Sequence, residues 1–238
     1  MRLRRTSIPL LAALLLGGCA AAPKVQDGPV DLEAEVLNDA TMTAGIRECL
    51  TVGADRTVAR LTAQDGYIGN PDTRLRLPEQ WHKAGRMLRD VGQGSYMDEI
   101  EMTMNRAAEL AARDAVPVLA EAIAALTIRH PLEILEGDDD DATAMLRGQR
   151  EGDLRTAYAP LLASAMAEVG VAEAFAKARE RYLDLPTKAN VPQVDLEAWV
   201  LEGAVDGLFI VLAQEEQRIR REPAARTTPL LQRVFGGP

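Results

Sequence analysis

The sequence predicts an all-α protein, a single compact multi-helix domain behind a cleaved amino-terminal leader. Three observations predict it. Apolar residues recur at helical spacing along nearly the whole chain, β-branched alternating runs are few, and proline and glycine fall where helices begin and end.

The leader comes first. Arg2, Arg4 and Arg5 precede the apolar stretch Ile8 to Leu16, which contains Pro9. A membrane-spanning helix needs ~20 apolar residues, so this stretch is too short to span and has the layout of a secretory signal peptide. It ends in Leu16-Gly17-Gly18-Cys19, which resembles the lipobox of bacterial lipoproteins, with Gly17 where Ala or Ser is commoner. The resemblance implies a lipoprotein signal peptide at 1–18, lipidation of Cys19, and a tether over 19–30. Ala20, not Asp, follows the cysteine, which implies sorting to the periplasmic face of the outer membrane of a Gram-negative bacterium. Several acyl chains at ~0.8 kcal/mol per buried CH₂ hold far better than one.

The helical domain is expected over 31–238. Asp31 to Asn38 starts the first helical stretch and Thr43 to Thr62 is a stronger one. Asp65-Gly66-Tyr67-Ile68-Gly69-Asn70-Pro71 is turn chemistry, and Arg74-Leu75-Arg76-Leu77-Pro78 alternates as a short extended piece would. Pro78 suits the first turn of a helix to Val91, stopped by Gly92 and Gly94. Asp98 to Leu126 is Ala-rich and helical, with Pro117 expected to kink or split it. A helical turn at Pro131 to Leu135 follows. Asp141 is expected to cap a helix to about Arg150, and Asp153 another to Val169, with Pro160 bending or dividing that second segment. Val171 to Leu183, Asp195 to about Arg221, and a closing helix after Thr228-Pro229 complete the series.

The chain carries a net charge of −9, and removing residues 1–18 takes away three arginines and no acids, giving −12. Such an acidic surface, with no basic stripe, argues against nucleic acid as a partner and against docking on anionic headgroups. Membrane contact is therefore expected through the lipid alone, and the protein or small-molecule partner is left open. With Cys19 lipidated, Cys49 has no partner in the chain. Its position between Ile46, Leu50 and Val52 reads as a small buried core residue.

Asn105-Arg106-Ala107-Ala108-Glu109, Ile134-Leu135-Glu136-Gly137, Asp206-Gly207-Leu208-Phe209 and the ending Glu215-Glu216, Ile219-Arg220, Arg226, Leu230-Leu231, Val234-Phe235-Gly236 resemble segments of a bacterial family known as domain of unknown function 4197. The resemblance runs from about Thr43 to Gly236. It implies a mostly helical lipoprotein and brings no activity, substrate or catalytic residue. The acidic run Asp138-Asp139-Asp140-Asp141 departs from the family pattern.

Candidate chemistry concentrates in charges set among apolar helical residues. Asn105, Arg106, Glu109 and Arg113 lie beside an alanine face, and Asp206 interrupts an apolar run. A carboxylate in such a run needs a cation or several donors. Gly203 and Gly207, four apart, would admit a neighbouring helix, so Asp206 is expected to pair with Arg106 or Arg113, joined by Glu109. That cluster is either a polar site with shifted carboxylates or an ionic network fixing helix register. Asp138, Asp139, Asp140 and Asp141 lack the EF-hand spacing and read as a solvated capping loop rather than a Ca²⁺ site. Glu215, Glu216, Arg220 and Arg226 read as a surface salt-bridge lattice, or else as an anion site. His82 and His130 have no metal-binding partner at suitable spacing, and no G-x-S-x-G elbow is present. No cofactor is predicted. The expected role is a binding or scaffolding module of the cell envelope. The alternative is a periplasmic enzyme or ligand- or lipid-binding protein using the carboxylate/arginine cluster.

Overall fold

The computed structural model describes residues 37–186 and 193–237. The leader, Cys19, the tether and the onset of helix at Asp31 lie outside the described residues. The helices are α1 (Asp39–Leu61), α2 (Glu79–Asp90), α3 (Ser95–Ala111), α4 (Ala115–Ala124), α5 (Pro131–Glu136), α6 (Asp141–Val169), α7 (Val171–Leu183), α8 (Leu196–Arg221) and α9 (Pro229–Phe235). No strand occurs among the described residues. No single described helix is long and apolar enough to cross a membrane.

Local chemistry sets most of these ends. The side chains of Asn38, Asp195 and Thr228 accept from the backbone N–H three residues on, capping α1, α8 and α9. Gly170, at φ 75°, ends α6 and turns the chain straight into α7. A 3₁₀ turn at Ala112–Asp114 separates α3 from α4 and leaves Pro117 in the first turn of α4, where no intrahelical donor is needed.

One expectation about α6 fails: Asp153 starts no second helix. Of the two outcomes expected at Pro160, division does not occur, and α6 runs unbroken for 29 residues with the proline inside it. One proline removes one backbone bond. Leu154, Tyr158, Leu162 and Ala165, all buried along the same face, hold the helix in register across it.

α1 lies along α8 and α4, α3 packs on α6 and α7, and α6 also lies against α8. Trp81 of α2 is fully buried, edge-on to Phe175 of α7 at 4.7 Å between ring centroids. The alanine face of α3 therefore meets α6 and α7, not the glycines of α8. Gly203 and Gly207 instead receive Leu75 and Tyr67, both from the connection between α1 and α2. That connection, residues 62–78, is wedged between α3 and α8.

Candidate functional site

Asn105 is fully buried on α3. Its Oδ1 accepts from the Leu75 N–H at 2.9 Å and its Nδ2 donates to the Leu75 carbonyl at 2.8 Å. One side-chain amide thus serves the extended residues 74–77 as a neighbouring strand would. The next residue, Arg106, donates to Glu109, one turn further along, at 2.5 Å and to Asp65 at 2.7 Å. Glu109 also accepts from the Tyr67 N–H at 3.2 Å, and the Tyr67 hydroxyl donates to the Ala204 carbonyl at 2.9 Å. The hydrogen bond from Arg106 to Glu109 raises the guanidinium above its usual range, and burial pushes the Tyr67 phenol well up. These side chains fasten the 62–78 connection to both helices.

Asp206 does not join them. Its carboxylate pairs with Arg147 of α6, because α6, not α3, runs along that side of α8. Arg147 also bonds Glu151 at 3.1 Å and lies over the Phe209 ring at 5.2 Å. Glu151 takes a second arginine, Arg155, at 2.9 Å. Arg113 pairs with neither Asp206 nor any other described carboxylate. It lines an opening with Arg106, Glu109 and Glu168, whereas Asp206 faces a different one. The expected Asp206–Arg106 or Arg113 pair is therefore absent, and Glu109 and Asp206 share no cleft in which to divide acid and base roles.

The carboxylates at the end of α8 are buried, contrary to the expected surface lattice. Glu215 and Glu216 are 0 % and 1 % exposed. Glu215 is gripped by Arg60 at 2.8 Å and Arg218 at 3.0 Å, with Arg56 at 4.0 Å. Glu216 bonds Arg220 at 2.8 Å and accepts from the backbone N–H groups of Ala142 and Thr143 at 3.0 and 2.7 Å. A carboxylate from α8 therefore caps the amino terminus of α6. Asp141 has another job, accepting from the Asp138 N–H at 3.0 Å, and Asp139 pairs with Arg221. Asp140 precedes the first residue of α6 without a side-chain capping bond.

The same device recurs at carboxyl-terminal ends. Arg220 donates to the Ile134 and Leu135 carbonyls of α5 at 2.9 and 3.1 Å. Arg226 donates to Ile219 and Arg220 of α8 at 2.9 and 2.7 Å. α4 has no basic residue in its last turn. Its end is served from other helices, by Arg47 bonding the carbonyls of Ile123, Ala124 and Leu126 and by Arg150 bonding that of Ala125. Orphan carbonyls and N–H groups at helix ends must be paired, and here long charged side chains do it across the fold.

Cys49 is fully buried, as expected, and burial together with the Glu216 charge raises its thiol far above the usual range. It is an unreactive core residue. His82 contacts the Leu77 carbonyl at 3.1 Å. Among the described residues no group of His, Cys, Asp or Glu is placed to hold a metal ion.

The opening that Asp206 faces is a groove of about 330 Å³ between α8 and residues 72–76. Trp199, Glu202, Gly203, Asp206 and Ile210 form one wall, and Arg74, Leu75 and Arg76 the other. Trp199, Arg76 and Glu202 did not stand out in the sequence. The available signal was the 199–203–206–210 spacing, one helical face with an aromatic at its amino-terminal end.

The family model described as "Protein of unknown function (DUF4197)" matches residues 36–236. The chain belongs to the DUF4197 family. No curated protein and no solved structure matches it. For this DUF4197 chain the matched region coincides with the helical domain, from just before α1 to just after α9.

Proposed function

We propose that this DUF4197 chain is an outer-membrane-tethered, periplasm-facing helical lipoprotein that serves the cell envelope as a binding or scaffolding module. The observation that carries the reading is Leu16-Gly17-Gly18-Cys19 followed by Ala20, ahead of a domain that starts near residue 36. The engagement of the buried carboxylates supports a non-catalytic role. Glu109 and Glu216 are each committed to an arginine and to backbone N–H groups, and Glu215 to arginines alone, so the oxygens of all three are engaged within the fold rather than turned to a substrate.

Cells expressing the full chain or Cys19→Ala, grown with labelled palmitate and then fractionated, test the tether. Label and outer-membrane association on the parent chain, both lost in Cys19→Ala, are the expected result. An unlabelled parent chain, or one recovered with the inner membrane, overturns the reading.

A further inference from the structure

The groove between α8 and residues 72–76 has features that structural pairing does not explain. Most of its charges are committed elsewhere: Asp206 to Arg147, Arg74 to Glu101 at 3.0 Å, and Asp72 to the Gln214 amide at 3.3 Å. Arg76 and Glu202 differ. They sit on opposite walls, both exposed, and neither side chain has an ion-pair or hydrogen-bond partner among the described residues. On the same wall as Glu202 stands Trp199, 39 % exposed while the other tryptophan, Trp81, is fully buried. The Trp199 Nε1–H donates to the Arg76 carbonyl at 2.9 Å, so the indole is fixed to the far wall while part of its ring stays open to solvent. Leu75 and Ile210 add apolar surface. The volume falls in the small-ligand range of ~300–1,000 Å³.

We infer that this groove binds an amino-acid-type zwitterion, a free amino acid or a short peptide with free ends. The Arg76 guanidinium takes the carboxylate, and Glu202 with the adjacent indole takes the ammonium. The apolar body lies against Trp199, Leu75 and Ile210. A neutral sugar leaves both charges unmatched, and a simple anion or cation leaves one. The inference rests on the binding-module half of the proposed function.

The test titrates the full chain, purified in mild detergent, and follows indole emission and calorimetric heat, with Trp199→Phe to assign the optical signal. The probes are leucine, the dipeptide alanyl-leucine, its N-acetylated and its C-amidated forms, and glucose. A saturable response to alanyl-leucine within the millimolar range is expected, weakened about tenfold or more by blocking either end. Glu202→Gln should abolish the discrimination against N-acetylation and Arg76→Gln that against C-amidation, with unchanged circular dichroism. Leucine binding as tightly as the dipeptide assigns the free amino acid as ligand; weaker binding assigns the peptide. No saturable response to any zwitterion, equal binding of blocked and free dipeptide, discrimination surviving both variants, or binding of glucose alone overturns the proposal. Failure here is separable from failure of the tether, because Cys19→Ala should lose palmitate and leave this titration unchanged.

Discussion

Glu216 on α8 closes the amino terminus of α6 through Thr143, accepting from both its backbone N–H and its hydroxyl at 2.7 Å. The same carboxylate holds Arg220, whose guanidinium reaches on to the end of α5 and lies over the Phe235 ring at 5.5 Å. One buried pair thus ties four helices together at their ends. Charges in this domain act chiefly as joints.

Asn105 is a joint without charge. Asn105→Ala leaves the Leu75 N–H and carbonyl without their partner, each at about 1–3 kcal/mol if they stay dry. A fall in urea midpoint, with hydrogen-exchange protection lost at the Leu75 amide first, is the expected outcome. Unchanged protection at Leu75 would show that the amide clamp is dispensable.

Glycine-to-alanine changes should split by surroundings. At Gly207 a Cβ would lie 3.1 Å from the Cζ of the fully buried Tyr67, so Gly207→Ala should destabilise by about 1–3 kcal/mol despite the better helix propensity of alanine. At Gly152, in α6, nothing lies within 4 Å, and Gly152→Ala should stabilise by about 0.5–1 kcal/mol. Thermal unfolding of the two variants reads both signs.

Acid stability depends in part on Glu151. Its carboxyl is held below the ordinary value by the hydrogen bond from Arg147, against the opposing effect of burial, with Arg155 helping. The unfolded chain binds its proton at the ordinary value, near 4.5, and the folded chain only at lower pH. Its contribution is therefore present above that ordinary value and lost as pH falls through the depressed folded one. Glu151→Gln should be less stable than the parent near neutrality, and the two unfolding curves should converge in strong acid. A constant offset across that range would remove Glu151 from the acid limb.

Much of this fold is legible in the sequence because helix boundaries are local. Val171 to Leu183 matches α7 at both ends, and Asp195 and Thr228 cap the helices they were expected to cap. Neighbour relations are not local. The glycines at 203 and 207 announce a close approach but not by what, and they admit Tyr67 and Leu75 rather than a helix. The apolar run around Asp206 in the sequence suggests that it takes a cation, and it does, yet which helix supplies it depends on packing. The Glu215-Glu216 pair among four arginines looks like a surface pattern. Glu216 is buried where the amino terminus of α6, far away in sequence, takes it as a cap, and Glu215 where Arg60 of α1 reaches it. The groove is not legible for the same reason, since Arg76 and Trp199 meet only in the folded chain.

The trans-capping role of the buried charges is tested most directly by a double-mutant cycle in urea on Glu216→Gln and Arg220→Met. Each single variant should lose about 3–5 kcal/mol, because each strands a buried partner. The double variant should lose less than the sum, with a coupling of about 1.5 kcal/mol or more. Single variants as stable as the parent, with additive effects, would contradict a structural joint at this position and return Glu216 to the list of groups free for ligand chemistry.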